Sequence, residues 1–229
     1  REDEAARRDG TVPGHRDPSP AAVGDVEHAV QLAQALDGWG LEGLLRRSAA
    51  VAGMAAFLDG LAEPLLQRLE EERDAGGLTI VQQRLATLAL RRVLDGALLS
   101  LSSPPDAPHL LVATPAGERE ELEALLVATA AAVEHWRVTY LGADLAASDI
   151  AVAAGHTAAR AVGLSVTRCN DREPLLAELR RVRASLPRRP ATSSWTSKAI
   201  PSWTTADASI SSAWSRSTPA GRGRIASSG

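Results

Sequence analysis

The chain has 229 residues, 45% of them hydrophobic but only 3% aromatic, and a formal net charge of −3. That is enough chain for one large domain or two small ones with a core of Ala, Leu and Val, which favours helices and Rossmann-like sheets over an aromatic-rich β-sandwich. The near-neutral charge leaves no global basic field for nucleic acid; the single cysteine, Cys169, excludes a disulfide framework and a cysteine-built zinc site; and no apolar run reaches the roughly 20 residues that span a bilayer.

Residues 1–24 are charged and rich in Pro and Gly and read as a disordered arm or linker. The opening REDEAARRDG lacks the apolar segment of a signal peptide, so a cytoplasmic location is expected; the first residue, Arg1, suggests a fragment or a processed product. From Asp25, placed as an N-cap, apolar residues recur at helical spacing through Val26, Ala29, Val30, Ala33 and Leu36. Gly38 and Gly40 are expected to break this helix, followed by a second over Leu41 to Ala52. A third runs from about Met54 to Arg73, with a kink or break at Pro64, and ends at Gly76-Gly77. Thr79 caps a fourth that reaches about Leu99. Four helices on short connections predict an antiparallel bundle over residues 25–100.

After the linker 101–108 the pattern changes. HLLVAT (109–114), WRVTYLG (136–142) and AVGLSV (161–166) read as strands; Gly117 to Glu134, Ser148 to Arg160 and Arg172 to Leu186 read as helices. Strand and helix in alternation predict a parallel sheet, whose ligands bind beyond the strands' carboxyl ends. The fold class is therefore α/β: a four-helix bundle followed by a flavodoxin-like domain at 109–190. From 191 to 229 neither pattern holds, and the fourth apolar strand such a sheet needs is not legible. With G- or C-ending codons, SSWTSKAIPSWTT (193–205) read two bases later becomes Val-Val-Asp-Val-Glu-Gly-Asp-Pro-Glu-Leu-Asp-Asp, an apolar strand and an acidic turn. The tail is accordingly expected to be a frameshift product.

Taken singly, the polar residues support little chemistry. Glu118, Glu120, Glu121 and Glu123 in a first helical turn favour the helix dipole by about 0.3–1 kcal/mol each. No two histidines have metal-ligand spacing; His109 and His135 read as surface residues, the second at a helix C-terminus. Ser165 lacks a nucleophile elbow, and Gly117 is one glycine rather than a dinucleotide fingerprint.

The two halves together resemble the cobalamin-binding module of corrinoid proteins and of light-sensing MerR-type regulators, over about residues 25–190. The family pattern Asp/Glu-x-His-x-x-Gly, then about forty residues, then Ser-x-Leu/Thr, is matched in spacing by Glu118 to Glu123, 41 intervening residues and Ser165-Val166-Thr167. TPAGER before the motif and WRVTYLGAD after the helix strengthen the likeness, as does EPLLQRLEEERDAGGLTIVQQRLATLALRRVL in the bundle. The resemblance implies a corrinoid held between bundle and sheet, with Thr114, Gly117, Glu118, Glu120, Ser165 and Thr167 below it and Arg73, Gln83 and Arg84 above it. Glu120 stands where the family has its cobalt-ligating His, and is the one candidate metal ligand. Glu118 and Ser165 keep the groups that orient that imidazole, Glu123 replaces the motif's Gly, Arg73 replaces a Trp, and Gln83-Arg84 replaces Glu-His. Binding through a protein imidazole is thus excluded, which leaves water or Glu120 below the cobalt.

The function implied is a non-catalytic sensory or regulatory module, not an enzyme. A corrinoid carrier for methyl transfer and a ligand-free dimerisation scaffold are the alternatives. Self-association is the expected partner interaction; DNA would be reached only through a domain outside this chain, since no helix-turn-helix is legible.

Overall fold

The structure, a computed structural model, describes residues 20–166, 172–185 and 211–212. The expected arm up to residue 19, Thr167 and most of the 191–229 tail lie outside the described residues.

The bundle comprises α1 (Pro20–Gln34), α2 (Gly38–Ala52), α3 (Met54–Phe57), α4 (Glu63–Asp74) and α5 (Ile80–Ser100). α1 starts five residues ahead of Asp25, so Asp25 is a helix-interior residue and not a cap. Gly38 and Gly40 do not interrupt a helix either; they form the first turn of α2, where Asp37 accepts the Gly40 N–H at 2.9 Å. Pro64 has the effect its chemistry requires. Its ring would clash with the carbonyl four residues back, and the chain answers with a π-helical turn over Leu58–Ala62 before α4 resumes with Pro64 in its first turn. Thr79 caps α5 as expected, in a full capping box with Gln82. The bundle core is aliphatic, with Phe57 the one aromatic side chain among its fully buried members.

Three parallel strands follow: β1 (His109–Ala113), β2 (Arg137–Tyr140) and β3 (Ala161–Leu164), in the order β2-β1-β3. A two-residue strand, β4 (Ser211–Ser212), pairs parallel with β3 at its free edge. β1 pairs with β2 from His109↔Arg137 and with β3 from Leu110↔Ala161, so it is the central strand. Its side chains alternate accordingly: Leu110 and Val112 pack on α6 (Leu122–Val133), while Leu111 and Ala113 pack with α7 (Ala147–His156) and α8 (Arg172–Ser185). Neighbours β2 and β3 on either side of β1 make the crevice at its carboxyl end the switch point where doubly wound sheets place ligands.

α6 joins the halves. Ala124, Ala128 and Ala131 face the sheet, while Leu125 and Ala130 enter the bundle core, with Leu122, Leu126 and Val133 packed beside them. A helix buried on two sides must be apolar nearly all round, and LEALLVATAAAV holds a single charge. It ends in a Schellman motif: His135 takes positive φ, Trp136 N–H donates to Ala131 O and His135 N–H to Ala132 O. His109 is not the surface residue expected. It is half-buried at the amino end of β1, with Nδ1 2.9 Å from Thr157 O and Nε2 2.7 Å from Thr139 Oγ1, tying β2 and the α7–β3 turn to β1.

Among the described residues, no helix is long and apolar enough to cross a membrane.

Candidate functional site

The loop between β1 and α6 carries the stretch Glu118 to Glu123 on which the resemblance rests, and its shape departs from the sequence reading. Gly117 takes φ +89, a conformation only glycine adopts freely, and α6 begins at Leu122 instead of Gly117. Glu118, Glu120 and Glu121 therefore lie before the helix, and only Glu123 sits in its first turn, where the dipole argument applies.

The loop is held from within. Thr114, fully buried, donates its hydroxyl to Glu118 O at 2.6 Å and accepts the Asp144 N–H at 2.9 Å. Asp144 in turn accepts the Gly117 N–H at 2.8 Å, with Arg119 3.7 Å from its other oxygen. Glu118 is only 4% exposed, and its Oε1 accepts the backbone N–H of Glu120 at 2.9 Å. Ser165, also buried, lies beside the end of β1, its N–H donating to Ala113 O at 3.2 Å. Thr114, Gly117, Glu118, Glu120 and Ser165 thus lie at the carboxyl edge of the sheet; Glu120 is exposed.

Of the bundle residues, Arg73 lies in the last turn of α4, and Gln83 and Arg84 lie near the start of α5. α5 turns one face to the α/β layer: Leu98 packs against the α6–sheet core, and about two turns earlier Arg91 reaches Glu121. Arg84 and Ile80 continue the same face at helical spacing, yet Ile80 is 70% and neighbouring Leu88 48% exposed. Arg84 is exposed, Gln83 half-buried, and Arg73 pairs with its neighbour Asp74 at 2.9 Å.

Three residues that sequence reasoning missed form the contact between halves. Arg91 and Tyr140 both hold Glu121: Arg91 Nη1 pairs with Oε1, and the Tyr140 hydroxyl donates to Oε2 at 2.8 Å. Burial, and then the bond to Glu121, raise the Tyr140 phenol well above its ordinary range; the same carboxylate raises Arg91. Gly142, at φ +86, keeps the space clear, since a Cβ there would come within 3.3 Å of Glu121 Oε2. A fourth is Glu178 of α8. It is buried; Oε1 accepts the Ala147 N–H at 2.7 Å and Oε2 meets Arg181 at 2.8 Å, so α7, which has no side-chain cap of its own, is capped from another helix. Replacing Glu178 with Ala is expected to lower stability by about 1–2 kcal/mol, the range for lost N-caps. Urea unfolding measures the loss, and faster amide exchange should be confined to α7 and α8.

These residues do not fit a corrinoid ligated through the protein. None of the described histidines lies on the 114–121 loop, and Glu118, which would orient an imidazole, bonds to its own loop. Among the described residues no cluster of three or more His, Cys, Asp or Glu is placed to hold a metal ion.

No family model matches the chain. Over 139 residues, 61% of its length, it is 30% identical to the HTH-type transcriptional repressor CarA of Myxococcus xanthus. It covers 46% of that repressor, so it spans about half the length of the curated relative it matches. Among solved structures, the Methanosarcina barkeri monomethylamine corrinoid protein superposes with a TM-score of 0.56 at 12% identity, over 71% of this chain and 78% of that one. A cobalamin-binding protein from Desulfitobacterium hafniense aligns over 70% and 75% at 20% identity, with a TM-score of 0.35. The fold is that of corrinoid proteins, a helical bundle on a Rossmann-like layer, as the resemblance implied.

Proposed function

We propose that the chain is a non-catalytic regulatory module of a transcriptional regulator, built on the cobalamin-binding fold but without the protein imidazole that would ligate cobalt. The observation that carries this reading is the β1–α6 loop. Glu120 stands in the ligand position, and Glu118 satisfies a backbone amide there instead of orienting a ring. A metal-bound imidazole needs a partner on its second nitrogen, and both members of that pair are altered in what they do. Likeness to an HTH-type repressor supports the regulatory role. DNA contact would then come through a domain outside these 229 residues, and self-association would be the module's own output.

The methyl-carrier reading needs an imidazole to tune the cobalt, and Glu120 argues against it. The scaffold reading differs only in having no ligand at all. One experiment separates them: hydroxocobalamin mixed with the purified chain and passed over a sizing column, with sedimentation velocity run in parallel. The expected result is no corrin absorbance co-eluting at about micromolar protein, the range in which a working sensor would bind. Co-elution would overturn the altered-site reading. A self-associated species whose size ignores cobalamin would favour the scaffold.

A further inference from the structure

The contact between the two halves does not need anything bound between them. Arg91 from α5 and Tyr140 from β2 converge on the two oxygens of one carboxylate, Glu121, at the residue that precedes α6. Each partner comes from a different layer, 30 residues upstream and 19 downstream. Arg91 is further aligned by Asp95 at 3.4 Å, one turn along α5. The Tyr140 ring packs against both the bundle core and the α6–sheet core, so the hydroxyl is delivered from a fixed ring. Gly142 leaves room for the carboxylate.

We infer that Arg91, Glu121 and Tyr140 form a latch that closes the helical bundle onto the α/β layer without a ligand, and that this one carboxylate regulates whether the two halves move together. The inference rests on the ligand-free reading above only for its biological sense; the latch itself stands on the geometry. A charged acceptor held by two donors makes stronger hydrogen bonds than a neutral pair, and both bonds share one atom group, so removing the charge weakens them together. The uncovered half of the α5 face, from Leu88 to Ile80, lies beyond the latch. When Glu121 is released, apolar packing remains between α5 and the other half, through Leu98 and the core that α5 shares with Leu125 of α6.

The chain offers a direct probe, because Tyr140 is its single tyrosine. Phenolate absorbance near 295 nm therefore reports Tyr140 alone, whose titration is raised first by burial and then by the bond to Glu121. In the intact chain this absorbance should fail to rise at about pH 10–11, where an unperturbed tyrosine titrates. Because the folded-state value lies above the unfolded one, the bond persists through that range and is lost as pH rises beyond it. Glu121→Gln should bring the titration down and raise amide exchange over 88–100 and 117–126 by about tenfold, as for a lost charge-assisted hydrogen bond. Exchange in α1 and α2 should not change. The exchanged pair Arg91→Glu with Glu121→Arg should restore protection of both segments, although not the tyrosine bond. The latch is refuted if Glu121→Gln leaves titration and exchange as they were, or if it opens α1 and α2 equally. Hydroxocobalamin is added in a separate arm. A change in wild-type exchange on its addition would sink the ligand-free reading, while the latch is judged by the Glu121→Gln comparison alone.

Discussion

Replacing Leu125 with Ala should lower the stability of both halves at once, by about 2–5 kcal/mol. Leu125 is 1% exposed and projects from α6 into the bundle core, while Ala124 and Ala128 on the same helix face the sheet. A methyl in its place leaves a cavity in a core that members of both halves share. A chain of this size typically has about 5–15 kcal/mol to lose, so the substitution removes a large fraction. The melting temperature should fall by about 5–20 °C. The informative reading is by segment: hydrogen exchange under increasing urea should show bundle and sheet peptides losing protection at a common, lowered midpoint. If sheet peptides shift and bundle peptides keep their midpoint, α6 is not the structural link described above.

The second large effect is a gain. Glu120→His combined with Glu123→Gly should tighten hydroxocobalamin binding by at least about 100-fold, since losing merely the outer partners of a metal-bound histidine costs 10–100-fold. Glu118 and Ser165, which the resemblance aligns with the groups that orient that ring, are both buried. The gain requires Glu118 to give up the Glu120 N–H, which it holds at 2.9 Å. Glu120→His alone should gain less, because Glu123 would keep a charge in the first turn of α6. Absorbance spectra separate the outcomes: a protein imidazole on cobalt keeps the spectrum of a nitrogen-ligated corrinoid, whereas a shift to the base-off form marks a cobalt with no nitrogen below it. If the double variant binds no better than the wild type, the family alignment of this loop is wrong.

What the sequence disclosed, and what it hid, follows from the range of the interactions. The bundle, the capping box at Thr79, the glycine stop at Gly76 and the alternation of strands and helices are all encoded within a few residues, and all were legible. The π-turn was half-legible: Pro64 announced a disruption, but whether the helix would break or widen depends on the packing of Phe57 and Leu61. The start of α6 was misplaced because acidic residues after a glycine look alike in a helix's first turn and in a loop; only the positive φ of Gly117 and the pull of Asp144 distinguish them. Glu121 read as one of four equivalent glutamates. Its partners Arg91 and Tyr140 are brought to it by tertiary packing, and nothing in local periodicity marks them. Glu178 was hidden for the same reason, since it caps a helix that begins 31 residues earlier.

The clasp of Thr114, Asp144 and Gly117 bears on how such a module changes over generations. Two of its three bonds use the Thr114 hydroxyl and the third the Asp144 carboxylate, and none uses the side chain of Glu120 or Glu123. Substitutions at Glu120 or Glu123 therefore leave these bonds in place, so the loop can change what its rim presents to a ligand while keeping its form.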